Sequence, residues 1–381
     1  MERALVQAVG PLPPPARAPP RQRGDRPHLR RARPRSAPGG LSRTIAPHCS
    51  DGWTLTAASR ILVPHVAGPT SRIRPPRTGA DHAETSALAR RRARTAAFHL
   101  AQEIEKRGYS GIYLPSFGDA MGLATAIALS TETISFGTTV QPIYLRQPSD
   151  FAGAASFIHE LSGGRFRFGI GVTHGPVHER LGVTPGRPLS DVRAFVAKVR
   201  KASEQGAGAL PPIVLATLRR RMVELAGEIA EGVVWANGAR SHMKTSFGAL
   251  PKEKRDAPDF FIGDMIPACV SDDPAAAAAV MRRTLAGYVM LPNYRNYWIE
   301  AGYEEEMRAI EGAQRAGDAA KIPGLMSERW LKDVTLYGTA SDVREGLEAW
   351  YAAGVRTPIL VPSSASGGQM KAFEEMFAVF G

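Results

Sequence analysis

The most constraining feature of the sequence is a regular alternation of strand and helix patterns that begins after residue 110. Apolar strand patterns cover Gly111–Pro115, Ile134–Val140 and Arg165–Val172, and helical patterns separate them. Strands that are joined by helices run parallel, because each helix carries the chain back to the end of the sheet at which the previous strand began. The alternation continues with strand patterns at Ile213–Leu218, Gly232–Ala236, Phe260–Val270 and Pro358–Val361.

These seven strands predict an α/β fold, a (β/α)8 TIM barrel that needs one more strand at its front. The only candidate for that strand is the apolar run at residues 60–67. The loops at the carboxyl ends of the strands build the active site in such barrels, so the pattern predicts an enzyme. An aromatic-rich stretch over Thr284–Arg329 predicts a helical insertion before the last strand, which either caps the substrate pocket or pairs two subunits.

The first 95 residues differ in composition from the rest of the chain. They hold 18 arginines, no lysine, five acidic residues and 14 of the 30 prolines, and they show no helical or strand period. Such a segment buries too little apolar surface to offset its ordering entropy. We therefore expect a poorly ordered or artefactual extension over 1–95 and a single domain over 96–381.

The charge of the chain does not indicate a nucleic-acid partner. The chain has 48 basic and 36 acidic residues, so removing residues 1–95 leaves 30 basic and 31 acidic ones. A nucleic-acid surface needs an excess of basic groups on the folded part. No apolar run approaches the ~20 residues of a membrane helix, which predicts a soluble protein with no membrane partner.

Absent motifs exclude several reaction classes. Cys49 and Cys269 lie far apart with no CxxC pair, so we expect no disulfide framework, no metal site and a cytoplasmic location. The chain lacks GxxxxGK[ST], HExxH and GxSxG, and Gly169-Ile-Gly171 does not continue as a dinucleotide-binding GxGxxG. Redox chemistry with a bound organic cofactor remains.

Six blocks of the sequence together carry a family resemblance. They are Ala101–Pro115, Ser135–Pro148, Leu161–Val172, Leu225–Val234, Tyr337–Arg344 and Ala353–Val355. In this order they resemble the luciferase-like monooxygenase family, and most closely its branch of oxidoreductases that use the deazaflavin coenzyme F420. The resemblance implies a homodimer that transfers a hydride between F420 and a small-molecule substrate. Two alternatives stay open: an FMN-dependent monooxygenase that is served by a flavin reductase, and a degenerate, non-catalytic barrel that acts as a binding protein.

The resemblance implies two cofactor-binding segments. Members of the family place a backbone bulge or a cis peptide behind the central flavin ring, and Thr139 and Val140 occupy that position here, between Thr138 and Gln141. The cofactor phosphate would lie at the start of the helix near Met222, where backbone amides and guanidinium groups favour an anion. That second segment comprises Ala216, Thr217, Leu218, Arg219 and Arg220, and its two arginines replace the Gly-Pro that is typical of the branch.

Residues for proton transfer are less clearly marked. Ser116 stands where many alcohol-oxidising relatives carry a histidine, which argues against a secondary-alcohol dehydrogenase. His174 comes two residues after a strand end, and an imidazole with a pKa near 6.5 suits general acid or base catalysis. We therefore predict His174 as the catalytic residue, with Ser116, Tyr144, His178 and Asn237 lining the substrate pocket.

Overall fold

The computed structural model of the protein describes residues 6–8, 95–116 and 119–380. All seven predicted strands are present within these residues, together with three short ones. The strands are β1 (Val6–Ala8), β2 (Gly111–Leu114), β3 (Ser135–Thr138), β4 (Gln141–Pro142), β5 (Phe166–Gly171), β6 (Ile213–Ala216), β7 (Gly232–Ala236), β8 (Phe261–Val270), β9 (Leu336–Gly338) and β10 (Thr357–Pro362).

Helices follow the strands throughout the described residues. The described part of α1 covers 95–106, and Gly108 follows it with a positive φ of 77°, as expected for a glycine beyond a helix end. The other helices are α2 (Ala120–Ser130), α3 (Pro148–Leu161), α4 (Gly175–Leu181), α5 (Pro188–Ala202), α6 (Arg220–Ile229), α7 (Met243–Phe247), α8 (Lys252–Asp256), α9 (Pro274–Val289), α10 (Pro292–Glu300), α11 (Glu304–Arg315), α12 (Ile322–Leu325), α13 (Glu328–Val334), α14 (Ala340–Ala352) and α15 (Gln369–Phe380).

The strands form the ring of a barrel. Parallel pairs join β2, β3, β5, β6, β7, β8 and β10 in that order, and β1 lies antiparallel between β10 and β2. Strand β4 continues β3 after a bend and pairs with β5, whereas β9 extends the sheet beside the end of β8. This arrangement confirms the predicted TIM-barrel fold.

The amino-terminal predictions fall mostly outside the described residues. The proposed strand at 60–67 and nearly all of the extension over 1–95 lie there. Among the described residues, β1 pairs with β2 and β10 in an antiparallel direction that the sequence did not indicate. The strand pattern after residue 110 therefore accounts for the parallel part of the ring alone.

Apolar side chains fill both faces of the parallel strands. Tyr113, Val214, Val234, Phe261 and Ile359 form a cluster inside the barrel, and a larger cluster packs the outer faces of the strands against the helices. Strands that are buried on both faces need continuous apolar sequence, which explains why they were recognisable as unbroken runs.

The predicted insertion is confirmed and consists of five helices, α9 to α13, between β8 and β9. It has its own apolar core, in which Trp298 and Trp330 pack edge to face with ring centroids 4.8 Å apart. The aromatic residues Tyr294, Tyr297 and Tyr303 are also buried there. No helix among the described residues is both long and apolar enough to cross a membrane.

Candidate active site

The chain turns sharply at the carboxyl end of β3. The peptide bond between Thr139 and Val140 is cis, which is one of the two geometries that the family resemblance implied. The Thr139 amide donates to the Leu114 carbonyl at 2.7 Å, and the Thr138 hydroxyl donates to the Gly169 carbonyl at 2.7 Å. The bend is thus fastened to both neighbouring strands, β2 and β5, before the chain resumes as β4.

Two glycines of β5 make room for this bend. A Cβ on Gly169 would lie 1.8 Å from the Thr138 carbonyl oxygen, and one on Gly171 would lie 2.8 Å from the Val140 side chain and 2.9 Å from that of Ala216. Real side chains do not tolerate such distances, so only glycine fits at both positions. The Gly-Ile-Gly sequence, which is no dinucleotide motif, has this steric function.

The mouth of the barrel has an apolar floor. Val214 and Val234 belong to the closed interior of the barrel, and the residues two positions later on the same strands are partly exposed. Side chains two apart on a strand share a face, so these later residues also point inward. The floor, as we call it below, comprises Val140, Ala216, Ala236, Met265 and Val361.

Polar atoms without hydrogen-bond partners among the described residues occur at the strand ends next to the floor, and we call these strand ends its border. Thr139, Thr173, Thr217 and Asn237 follow the ends of β3, β5, β6 and β7, and the side chain of each carries a buried oxygen or nitrogen that pairs with no described atom. Buried polar groups are normally satisfied, so four orphans at adjacent strand ends fit a polar ligand that completes them. An apolar floor with a polar border matches a planar ring system that carries polar edges.

His174 lies at this border, immediately before α4. Its ring packs edge to face against Tyr294 of α10, with centroids 5.4 Å apart. Burial lowers the pKa of His174, and the nearby His178 lowers it further. The imidazole is therefore neutral near pH 7 and able to accept a proton.

His178 and Tyr144, predicted to line the pocket, are brought together by the fold. Their rings meet edge to face at 5.4 Å, while a His178 ring nitrogen contacts the Val172 carbonyl. The Tyr144 hydroxyl donates to Asp191 at 2.7 Å, and burial together with this carboxylate raises the pKa of Tyr144. The Tyr144 hydroxyl and one His178 ring nitrogen are thus already bound to other groups of the protein.

Ser116 is partly buried at the end of β2, at the same end of the barrel as the pair just described. Trp235, another aromatic near a strand end, packs on the outer face of β7 against Phe247, away from the mouth. Gln141 is buried in β4, where its backbone pairs with Ile170 of β5. Of these three, Ser116 alone is partly accessible.

The two arginines of the predicted phosphate segment stand at the start of α6, but each already pairs with a carboxylate. Arg219 precedes the helix, and its Nε donates to Glu300 of α10 at 2.9 Å. Arg220 donates to Glu224, one turn further along α6, at 2.7 Å. An anion that binds there must compete with these two acidic side chains.

Helix α10 contacts three of the predicted site loops, a role that the sequence did not assign to particular residues. Tyr294 packs on His174 after β5, and Glu300 accepts from Arg219 after β6. In the loop after β7, the Trp298 indole donates to the Asn237 carbonyl at 3.2 Å, and the Ala239 amide donates to the Tyr297 hydroxyl at 3.0 Å. The signal was the aromatic spacing i, i+3, i+4 on one helical face. These contacts favour the capping alternative for the insertion.

A buried carboxyl group lies behind the loop that follows β7. Asp264 of β8 has no exposed surface; one carboxyl oxygen accepts from the Gly238 amide at 3.3 Å, and the other contacts no polar partner in the described chain. Burial raises the pKa of Asp264 to about 8, against the opposing effect of backbone amides. Its neighbour Asn237 adopts a positive φ of 56°.

Comparison with known proteins gives a family for this geometry. Residues 73–357 match the family model described as luciferase-like monooxygenase, a match that starts before the boundary predicted at residue 96. The chain is 24% identical over 306 residues to the 5,10-methylenetetrahydromethanopterin reductase of Methanolobus tindarius, covering 72% of this chain and 92% of the relative. It is 25% identical to a putative coenzyme F420-dependent oxidoreductase of Mycobacterium tuberculosis, covering 62% and 81%.

A solved structure shares the fold. The coenzyme F420-dependent tetrahydromethanopterin reductase from Methanopyrus kandleri aligns with a TM-score of 0.59 at 18% identity, covering 74% of this chain and 94% of that one. The family match spans most of the described barrel and includes the cis peptide, the glycines of β5 and the capping helix. The chain belongs to the luciferase-like monooxygenase family and is an oxidoreductase.

Proposed function

We propose that the protein binds the deazaflavin coenzyme F420 at the mouth of the barrel and transfers a hydride between it and a small organic substrate. The observation that carries the proposal is the apolar floor at the barrel mouth, to which Val140 and Ala216 contribute. The unpaired polar atoms of Thr139, Thr173 and Asn237 beside the floor support it, because a heterocycle with polar edges would satisfy them. Relatives that are named as F420-dependent enzymes support the choice of coenzyme.

The proposal gives each segment a task. The backbone from Thr138 to Gln141 would support one face of the ring, and the segment from Ala216 to Arg220 would hold the phosphate near the start of α6. The coenzyme supplies the hydride chemistry, while the protein orients it and excludes water. His174 would hold or move a proton, since its neutral imidazole lies at the border of the floor.

The substrate would lie between the coenzyme and the side chains of Ser116, Tyr144, His178 and Asn237. Tyr144 and His178 contact each other and are tied to Asp191 and the Val172 carbonyl, so they form a fixed wall. The aromatic face of α10 would close the opposite side through Tyr294. A small organic molecule suits a mouth with these walls.

The second candidate is an FMN-dependent monooxygenase that receives reduced flavin from a reductase. The family description favours it, and the same floor would accept an isoalloxazine ring. The two candidates differ in the second substrate, which is molecular oxygen for the monooxygenase. Oxygen consumption by the purified protein in the presence of reduced FMN therefore distinguishes the two candidates.

The experiment is a titration of the purified protein with F420 and with FMN, followed by cofactor absorbance and tryptophan quenching. We expect F420 to bind more tightly, and we expect His174→Ala to keep that affinity while turnover falls by roughly 10²- to 10⁴-fold. Oxygen consumption with reduced FMN, without F420 binding, would establish the monooxygenase instead. Failure to bind either cofactor would overturn the proposal.

A homodimer is also proposed, on the evidence of exposed apolar side chains. Leu129 of α2 is 70% exposed, Phe157 of α3 is 57% exposed, and Leu161 lies one turn further along α3. Helices α2 and α3 pack side by side, so these side chains share one surface of the barrel. Size-exclusion chromatography with light scattering should give a dimer for the wild type and a monomer for Phe157→Asp.

A further inference from the structure

We propose that Glu300 determines anion selectivity at the proposed cofactor-phosphate subsite, because its carboxylate occupies Arg219 and must be displaced before a phosphate can bind. This inference rests on the proposed function for the identity of the anion. The ion pair itself joins two separate elements, the N-terminal end of α6 and the C-terminal end of α10.

The electrostatics of the two helices explain why this pair forms. The N-terminus of α6 carries a partial positive charge and free amides, so it favours an anion close to Arg219. Glu300 is the last residue of α10, where the partial negative charge of the helix end disfavours a carboxylate. The guanidinium of Arg219 therefore offsets an unfavourable placement of Glu300, and the carboxylate takes the place that an anionic ligand would have.

A second observation points to a ligand at this location. Thr217 lies two residues before Arg219, its side chain is buried, and its hydroxyl has no hydrogen-bond partner in the described part of the chain. The Thr217 amide is bound to the Val234 carbonyl at 2.8 Å, which fixes the residue at the end of β6. A phosphate oxygen at the start of α6 would satisfy the hydroxyl that the protein leaves unpaired.

An anion can displace Glu300 from Arg219 at little cost in stability. The side chains of Arg219 and Glu300 are 50% and 40% exposed, so solvent screens their attraction and the pair contributes little to stability. The rest of α10 remains fixed to the barrel by Trp298 on Asn237 and by Tyr297 on Ala239. Displacement of Glu300 thus frees one end of the capping helix without detaching it.

Every anion that binds to Arg219 must therefore offset the free energy needed to displace Glu300. A phosphate group that accepts from Arg219 and from the backbone amides at the start of α6 can replace the carboxylate, whereas an anion that contacts Arg219 alone gains little over Glu300. Removing the charge of Glu300 should therefore increase the affinity for all anions and reduce the discrimination among them.

The test compares Glu300→Gln with Glu228→Gln in the full-length protein. Glu228 pairs with Arg193 across helices α5 and α6, and its side chain and that of Arg193 are 55% and 54% exposed, but it lies near the other end of α6. We expect Glu300→Gln to bind F420 about two- to fivefold more tightly, as a surface ion pair is worth no more than about 1 kcal/mol. Glu228→Gln should match the wild type, and the gain should disappear at high salt.

Two further measurements make the result decisive. In an Arg219→Ala background, Glu300→Gln should have no effect, because the competition needs both partners. Hydrogen exchange at the amides that follow Glu300 should increase when F420 binds to the wild type. Unchanged affinity in Glu300→Gln, or slower exchange at those amides, would overturn the proposal.

Inorganic phosphate separates this inference from the proposed function. If neither F420 nor FMN binds any variant, the proposed function fails, but calorimetric titration with phosphate still tests the role of Glu300. Tighter phosphate binding by Glu300→Gln than by wild type and Glu228→Gln would support the inference in that case. Equal binding by all three proteins, or none at all, would reject it.

Discussion

The sequence determines the floor of the barrel mouth and the charged rim, by which we mean Arg219, Arg220 and their two acidic partners, in different ways. The floor depends on backbone geometry and on missing side chains, since Gly169 and Gly171 leave space for the bend at Thr139. The rim depends on exposed side chains, in which Arg219 and Arg220 pair with Glu300 and Glu224. Changes in the floor should therefore alter folding, whereas changes in the rim should alter binding.

The largest effect is expected for Gly169→Ala. Its methyl group would lie 1.8 Å from the Thr138 carbonyl oxygen, which is backbone and cannot rotate away. We expect a loss of about 3 kcal/mol or more in the free energy of unfolding, at the upper end of overpacking effects. Urea denaturation followed by circular dichroism measures the loss.

Gly153→Ala is the matched control, because Gly153 lies within α3 and no described atom is within 4 Å of its added Cβ. Alanine favours helices over glycine, so this variant should be about 0.5–1 kcal/mol more stable than the wild type. Equal stability of the two variants would mean that the bend at Thr139 does not require glycine beside it.

Asp264→Asn tests the buried carboxyl group behind the loop that follows β7. The folded protein holds the Asp264 proton up to about pH 8, the value to which burial raises its pKa, whereas the unfolded chain releases it near pH 4. The unfolded state binds fewer protons between these values, so wild-type stability should fall as the pH rises from about 4 to 8 and should then level off. Asparagine removes the ionisation and should remove this slope.

At pH 8 Asp264→Asn should be the more stable of the two proteins, as measured by denaturation across the pH range. Asparagine keeps an oxygen that can accept from the Gly238 amide, so the loop after β7 should remain in place. Parallel pH profiles for the two proteins would show that the pKa of Asp264 is the same in the folded and unfolded states.

The sequence was sufficient for the parallel strands and the insertion, because strands buried on two faces are unbroken apolar runs. It was insufficient for β1, since three residues inside an arginine- and proline-rich segment carry no period. The family resemblance located the cis peptide at Thr139, whereas the residues alone would have indicated only a good strand.

The sequence indicated the strand-end loops in which Thr217 and Asn237 lie, and the roles of these two residues stay predictions. Thr173 was missed, because its positive φ of 60° and its unpaired hydroxyl result from the tertiary fold and leave no sequence signal. Glu300 was missed for a related reason: its partner Arg219 is 81 residues earlier, and no local pattern connects the two. Long-range pairs of this kind require the fold to be known.

Replacement of both Arg219 and Arg220 with alanine tests the rim directly. We expect F420 binding to weaken by more than tenfold, about 1.5–3 kcal/mol for charged hydrogen bonds, with a smaller loss at high salt. Stability should change by no more than about 1 kcal/mol, because both ion pairs are exposed. Unchanged affinity would identify the two arginines as surface charge.

The smallest effect is expected at the contact between the cap and the loop after β7. Tyr297→Phe removes the oxygen that accepts from the Ala239 amide at 3.0 Å, and the amide is left without a partner in a buried site. An unsatisfied buried donor costs about 1–2 kcal/mol. Tyr351→Phe is the control, since the Tyr351 hydroxyl is buried with no partner among the residues described, so its removal should cost almost nothing. Thermal denaturation of both variants separates the two cases, and similar losses in both would mean that the Tyr297 hydroxyl does not hold α10 to the barrel.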